Sequence, residues 1–397
     1  MDSVDFGQVF WGPNALFRAV GYDFQRLPRP YWRQILMKAV LVFMILSAIC
    51  IRIYMFMSLR ELVIRDDILN SFRLGAFIAY GIDSNVKFAY FIFNAHRLRQ
   101  IYDFLAAEYP QTASEQKLYK IDIYGFQRAP VMICAYMAVV ASIMLSPLLQ
   151  SIVTYIIDIY RFGYDAAEYP YLHPIPMPYN FDYCTPRYYI PVYMVESLNG
   201  HFSSTTNLGT DLFISIFSGQ LCMQLEYLGY SLETYQPSME KSEEDCDFLR
   251  KWIRKHQLML GLCADLDEVF GTTLLCKLIT NCTYFCIIVA QLMLEGYGYG
   301  FLNFGSFFFL TVAQFFMVCQ YGQNLITISE HLSFSAYKNR WYNGSKAYKK
   351  MILTIITRAQ TPANLTAKGF QPISLLTFQI VMSVTYRVFA VLQQVFD

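Results

Sequence analysis

Six apolar runs punctuate the chain, near residues 34–57, 72–93, 129–157, 270–294, 304–328 and 370–396. Each is long enough for an α-helix to cross a bilayer, which takes about 20 residues. A seventh stretch, 188–222, has the length but not the hydropathy. It carries Glu196, Asn199, His201, Ser203, Ser204, Thr205, Thr206, Asn207 and Asp211. The connectors decide whether it crosses. With seven spans, residues 1–33, 94–130, 223–268 and 336–368 hold 21 Lys and Arg, against 4 in the alternate connectors. Positive residues stay on the cytoplasmic side, and this bias exists only if 188–222 crosses. The expected fold is an all-α membrane protein of seven transmembrane helices, N-terminus cytoplasmic and C-terminus extracellular.

Residues 6–24 pattern differently. Phe6, Phe10, Trp11, Leu16, Phe17 and Val20 give one apolar face, as in a helix lying along the membrane interface. Residues 212–268 keep a helical period, interrupted near 237–247. Leu225, Leu228 and Leu232 before the break, and Leu249, Trp252, Ile253, Leu258 and Leu262 after it, predict helices that leave the bilayer with an apolar face. Such a face needs a partner, either the other helix or another subunit. The acidic break itself (Glu240, Glu243, Glu244, Asp245, Asp247) reads as a solvated loop. The connector 163–187 is rich in Tyr and Pro, with Pro170, Pro174, Pro176 and Pro178 stiffening a loop that cannot be helix. It is either a plain surface loop or a cap over a site. In the last run, opened by Gly369 and Pro372, Val384, Val388, Val391 and Val395 recur at steps of four, three and four and so share a face. Gln394 lies beside them and Arg387 is the one charge. Such a stripe suits a pore that closes by dewetting; a valine stripe alone also suits ordinary packing.

Composition agrees with the pattern. Of 397 residues, 55% are hydrophobic and 15% charged, where soluble domains carry about 25% charged. The net charge of +1 gives no reason to expect a nucleic-acid partner. The acidic start lacks the apolar core of a signal peptide, so the first span is expected to do the targeting. Of ten cysteines, Cys184 alone falls in an expected outer loop. Cys282 and Cys286 have no His or second pair with them and read as small apolar residues, so no metal is expected. The acceptor sequences at Asn281, Asn343 and Asn364 fall in a span or on the cytoplasmic side and should stay unmodified. The N-terminus-inside orientation speaks against a G-protein-coupled receptor.

No catalytic constellation or cofactor motif is present, so an enzyme is not expected. Buried polar groups carry the chemistry instead, because an ionisable residue in a span faces a partner, a cavity or a pore. Asp83 and Lys87, four apart, can pair along one helix. Glu196 has no helical partner of opposite charge, and His173 and His201 stand alone. Together with Ser197, Asn199, His201 and Ser204, Glu196 makes the fourth span the polar wall of a cavity. Phe72, Phe77, Tyr80, Met144, Leu145, Tyr284 and Phe309 are the apolar candidates from neighbouring spans. A cavity of that kind takes small, mostly apolar ligands.

The order of motifs resembles the insect odorant receptors. The sixth span and its exit read Phe316-Met317-Val318-Cys319-Gln320-Tyr321-Gly322, then Leu325, Glu330, Ala336-Tyr337 and Trp341. The last span reads Ser374-Leu375-x-x-Phe378 with a Val-Leu-x-Gln close. The approach to the fourth span, Tyr179-Asn180-Phe181-Asp182-Tyr183 with Pro186, then Tyr193 and Asp211-Leu212-Phe213, is similar too. The resemblance implies an odorant pocket among spans two to six and a tetramer whose last spans form a central cation pore. It implies cytosolic helices that join the subunits, a shared coreceptor as partner, and the plasma membrane of a sensory dendrite. Coreceptors carry a longer loop after span four, so the short 223–268 implies a ligand-tuning subunit. The register of the last span places the gate at Val388, Val391, Gln394 and Val395. Gustatory relatives are the near alternative; here Thr385-Tyr386 is followed by six residues before Gln393, where they have five. A small-molecule transporter is a further alternative, but no internal repeat is visible. The expected organisation is a cytoplasmic amphipathic segment (1–33), spans 1–4 forming most of the binding bundle (34–222), a cytoplasmic extension (223–268), spans 5–6 (269–335), a basic connector (336–368) and a pore-lining span 7 (369–397).

Overall fold

The computed structural model describes residues 4–124, 129–162, 169–175, 177–178, 185–295 and 299–396. Cys184 and the motif Tyr179 to Tyr183 lie outside the described residues. In chain order the helices are α1 Phe6–Val9, α2 Trp11–Ala19, α3 Tyr31–Ile64, α4 Ile68–Phe93, α5 Ala95–Ala107, α6 Ala113–Leu118 and α7 Ile121–Tyr124. They continue with α8 Ala129–Phe162, α9 Pro186–Thr234, α10 Ser242–Glu295, α11 Tyr299–Lys338, α12 Lys346–Ala359 and α13 Leu375–Phe396. Five of them, α3, α8, α10, α11 and α13, are long and apolar enough to cross a membrane. The other two helices in the expected spans, α4 with 26 residues and α9 with 49, fall short in hydropathy and not in length.

The centre of the bundle is α9, which explains its composition. Every residue from Phe202 to Leu225 is buried, because α9 is packed against α2, α3, α4, α8, α10 and α11. A helix enclosed on all sides has no lipid face to keep apolar. Its hydroxyls turn back onto its own carbonyls: Thr206 Oγ1 donates to Phe202 O, Thr210 to Thr206 O, Ser215 to Asp211 O and Ser218 to Ile214 O, each at 2.8 Å. A polar side chain that closes its bond within the helix can be buried at little cost.

Residues 6–24 form two short helices and a turn, with protein covering their apolar face. Phe10 meets Phe217 at 5.0 Å between ring centres, and Phe17 and Phe24 meet Phe91 and Phe213 respectively at 4.9 Å. Gly209 makes room for this seat, since a Cβ there would lie 2.4 Å from the Phe17 ring. The aromatic face that the sequence suggested for the membrane interface is therefore spent on α4 and α9, while Trp11 stays exposed.

At 1.5 Å per residue, α9, α10 and α11 are about 60–80 Å long, roughly twice the hydrocarbon thickness of a bilayer. Beyond the span length their apolar faces meet one another and α12. Leu225, Leu228, Leu232, Leu249, Trp252 and Leu262 are buried together, whereas Leu258 is exposed. Trp252 Nε1 donates to Leu228 O at 3.0 Å, and Asn339 Nδ2 donates to Leu232 O at 2.7 Å. The acidic break is not a free loop. Glu243, Glu244 and Asp245 form the first turn of α10, where carboxylates offset the helix dipole. Asp245 is buried and accepts from Tyr235 Oη at 2.6 Å and Ser238 N at 2.9 Å.

His256 sits in this module against Trp252, 5.0 Å between ring centres. Burial, with Arg358 nearby, pushes its pKa down to about 4. The unfolded chain binds a proton at His256 that the folded chain refuses. Stability from this site is thus full above about pH 6.5 and falls as pH drops from there toward 4. His256→Gln is expected to flatten that part of the pH–stability curve of the detergent-solubilised protein. An unchanged curve would mean that the imidazole titrates freely.

The last run does not start as helix. Thr366 to Ile373 make a tight turn, with Gly369 at φ +79° and bonds from Ala367 N to Gln371 O and Ile373 N to Leu365 O, both 2.8 Å. Asp267 anchors it by accepting from Thr366 Oγ1 at 2.9 Å. The helix α13 then packs through Thr377, Phe378, Val381 and Thr385, with Phe378 on Phe315 and Phe316 at 5.7 and 5.4 Å.

Candidate functional site

A narrow cavity lies where α3, α4, α8, α9 and α11 converge. Its wall is Arg52, Phe77, Tyr80, Val140, Ile143, Met144, Asn199, Gly200, Ser203, Ser204, Phe304 and Phe307, with Ile175 from the connector closing it. The free space is only about 30 Å³, enough for a water or two and not for a drug-sized ligand. Met144 fills much of it: a Cβ on Gly200 would lie 2.6 Å from the Met144 sulfur. A thioether on three rotatable bonds can move aside at small cost. The aromatic side is held by Tyr80, whose ring meets Phe307 at 5.1 Å and whose hydroxyl shares a 2.6 Å bond with Tyr136.

The connector takes part. His173 Nδ1 and Glu196 Oε2 are 3.2 Å apart and buried, Leu172 N donates to Ser151 Oγ at 3.2 Å and Tyr189 Oη to Leu172 O at 2.8 Å. These bonds hold Ile175 over the cavity. The partner that Glu196 lacks on its own helix is thus His173 from the loop. Neither residue stands alone, contrary to the reading from helical spacing, because spacing sees only neighbours on one helix.

One and two turns further along α9 from Ser203, a charged cluster is closed off from solvent. Lys87 Nζ lies 2.7 Å from Asp83 and 3.2 Å from Asp211, and Lys277 Nζ lies 2.5 Å from Asp211. Gln314 Nε2 donates to Asn207 Oδ1 at 2.8 Å, and Asn207 Nδ2 donates to Asp83 at 2.9 Å. The Asp83–Lys87 pair expected from spacing is present, as one edge of a neutral cluster that ties α4, α9, α10 and α11 together. Ser84 connects it to the cavity wall, donating to Ser203 O at 2.8 Å.

Of the residues singled out in the sequence, Phe77, Tyr80, Met144 and Ser204 line the cavity together. Tyr284 stands behind Tyr80 at 6.0 Å. Glu196 lies a turn away from Gly200, directed at the loop, and Ser197 and His201 are half-buried beside the wall. Phe72, Leu145 and Phe309 do not reach it. Phe72 borders a separate depression with Leu59, Val63 and Ile287. Leu145 is 52% and Phe309 73% exposed, since one residue from Met144 and two from Phe307 turn a helix by about 100° and 200°. Val140, Ile143, Ile175, Gly200, Phe304, Phe307 and Arg52 also line it without having been singled out in the sequence; of these Arg52 alone carried a signal, a lone charge within an apolar run.

On α13 the packed face is not the valine stripe. Val384, Arg387, Val391 and Gln394 are exposed and Val388 is half-buried; the Val395 side chain lies outside the described residues. A second, larger hollow of about 530 Å³ opens between α10, α11 and α13, bordered by Phe301, Phe308, Met382 and Tyr386. It is more open-sided, and none of the described residues that border it is charged, which leaves the first cavity as the better-formed site.

The fold and the sequence have close counterparts. Over 98% of both chains, the structure superposes with a TM-score of 0.73 on the insect olfactory receptor OR5 from Machilis hrabei, solved in complex with eugenol, at 16% identity. Odorant receptor 49a of Drosophila melanogaster is 33% identical over 96% of both chains, and Odorant receptor 85f of the same fly 27% identical over 98% and 97%. The family model of the 7tm odorant receptors matches residues 72–386. This chain belongs to the insect odorant receptor family.

Proposed function

We propose that the chain is a ligand-tuning odorant receptor subunit that takes a small, mostly apolar volatile into the cavity around Tyr80 and Met144 and opens a cation channel together with a shared coreceptor. The observation that carries this reading is the narrow, aromatic-lined cavity with a few convergent polar groups, set within a bundle of the family's fold. The eugenol in complex with the Machilis receptor is a small aromatic molecule of the kind such a cavity suits. A space of about 30 Å³ must widen to admit it, and Met144 is the side chain best able to move. Expressed with a coreceptor, the chain should give ligand-evoked cation current for some members of a panel of neutral volatiles. Carrier-like saturating flux instead of current would favour a transporter.

Shape sets the choice among ligands, because one methylene in an apolar pocket is worth about 1–3 kcal/mol. Ser204→Ala and Tyr80→Phe are therefore expected to reorder potencies across the panel while surface labelling stays near the parent level. A potency order that survives both changes would put the site elsewhere.

In this reading α3, α4, α8, α9, α10, α11 and α13 are the seven spans. The N-terminus is cytoplasmic, the long-helix module is cytosolic and available to neighbouring subunits, and α13 of each subunit faces a central axis in the plasma membrane. A tag at Met1 should meet antibody only after permeabilisation, and a tag after Asp397 on intact cells; the motive is the charge bias of the connectors. The reverse pattern would overturn the orientation.

A further inference from the structure

The cavity holds one formal charge, and no carboxylate among the described residues pairs with it. Arg52 is the only charged residue between Lys38 and Arg60. Its Nη2 donates to Ser203 Oγ at 2.6 Å and its Nη1 approaches the Met55 sulfur at 2.9 Å. Its Nε is buried without an acceptor. Lys87 and Lys277 differ, since Asp83 and Asp211 balance their charges. The position is built into the fold. The guanidinium lies on Gly81, where a Cβ would stand 2.0 Å from its central carbon. No larger residue at that point of α4 leaves the space.

A guanidinium offers five donors in a planar fork and accepts nothing. One donor is spent on Ser203, one meets only a thioether, and one is orphaned. Burial of such a group without an acceptor is unfavourable, and an acceptor brought by a ligand recovers that loss. We propose that Arg52 is the specificity-determining residue of this cavity. Its ligands are small apolar molecules that carry a carbonyl or carboxylate oxygen, seated on the free edge of the guanidinium with the carbon skeleton against Phe77, Tyr80 and Met144. This rests on reading the cavity as the odorant site. A hydrocarbon of equal size leaves the donors unpaired, and an amine is repelled. A site that must hydrogen-bond its ligand discriminates strongly against analogues that lack the acceptor.

The test uses the full chain with a coreceptor and a matched eight-carbon series: octane, octylamine, 2-octanone, δ-octalactone and octanoic acid, beside a broad volatile panel. Half-maximal concentrations are compared for the parent, Arg52→Met, Arg52→Lys and Gly81→Ala, with surface labelling of each. The oxygen-bearing members are expected to act at concentrations roughly 10- to 100-fold below octane and octylamine in the parent. That ratio should collapse in Arg52→Met, survive in part in Arg52→Lys, and shrink in Gly81→Ala, where the guanidinium is displaced. The ketone and lactone against the acid tell a carbonyl from a carboxylate. If Arg52→Met fails to reach the surface, the ratio in the other two variants decides. Evoked current with an unaltered ratio, or activation only by volatiles without an acceptor oxygen, overturns the role of Arg52 and leaves the receptor reading standing. No evoked current from any volatile overturns the receptor reading itself.

Discussion

Asp211→Asn should strip most of the protein from the cell surface. The change keeps size and shape but leaves Lys87 and Lys277 facing Asp83 alone, so the cluster carries one uncompensated positive charge. Asp211 and Lys87 are fully buried, and Lys277 nearly so. Removing one partner of a buried ion pair typically costs about 3–5 kcal/mol, a large fraction of the roughly 5–15 kcal/mol by which folded proteins are stable. Lys277→Met in the same chain removes the surplus charge and leaves the Lys87–Asp83 pair, 2.7 Å apart, balanced. Replacing both members of a buried pair is often close to neutral. The double variant is therefore expected to recover surface labelling and detergent melting temperature toward the parent. Parent-like behaviour of the single variant would show that the cluster does not hold the four helices together. A double variant as poor as the single one would show that size or hydrogen bonding at Asp211, and not charge balance, is what matters.

Val391→Lys and Gln394→Arg should change how cations pass without changing how much protein arrives. Val391 is 59% exposed and Gln394 is also exposed, while Val381 and Thr385 hold α13 to its own chain. Within one subunit Val384 and Val391 are thus not packed, while Val388 is half-buried. If the exposed face meets lipid, an unpaired charge there is unfavourable, by less than the ~2.5–3.5 kcal/mol of the helix centre because Val391 lies near the end of α13, and surface levels fall. If it meets its equivalents around a water-filled axis, the charge is hydrated and the variant assembles. Relative permeability to monovalent and divalent cations, and block by large organic cations, are the quantities to measure, since other subunits lining the same axis dilute an effect on current size. Altered selectivity at normal surface levels is the expected result. Unchanged selectivity at normal levels would take this face out of the pore. Arg387 lies one turn below Val391 and shares its exposure, so Arg387→Gln is the natural companion variant.

Length and hydropathy alone determined five of the long helices, α3, α8, α10, α11 and α13, because a helix that meets lipid must satisfy every backbone bond internally and keep its surface apolar. Residue spacing determined the Asp83–Lys87 pair, which a step of four puts on one face, and residue order carried the motifs that mark the family. Helix boundaries were less legible. The run from 370 loses its first residues to the Gly369 turn, and the acidic stretch near 245 is a helix start, since both depend on bonds to distant groups: Asp267 for the turn, Tyr235 for Asp245. The enclosure of α9 was not legible in its hydropathy, because a helix surrounded by protein needs no apolar stripe. Tertiary structure alone decided which aromatics meet. Phe77 and Tyr80 turn inward while Phe309 turns out, a matter of helix rotation that composition does not encode. It also decided that Lys277 and Gln314, distant in sequence, complete the cluster at Asp211, and that His173 answers Glu196. Above all it brought Arg52 to rest on Gly81 beside Ser203. A lone charge in an apolar run announces a cost, and only the packing of three helices shows where that cost can be recovered.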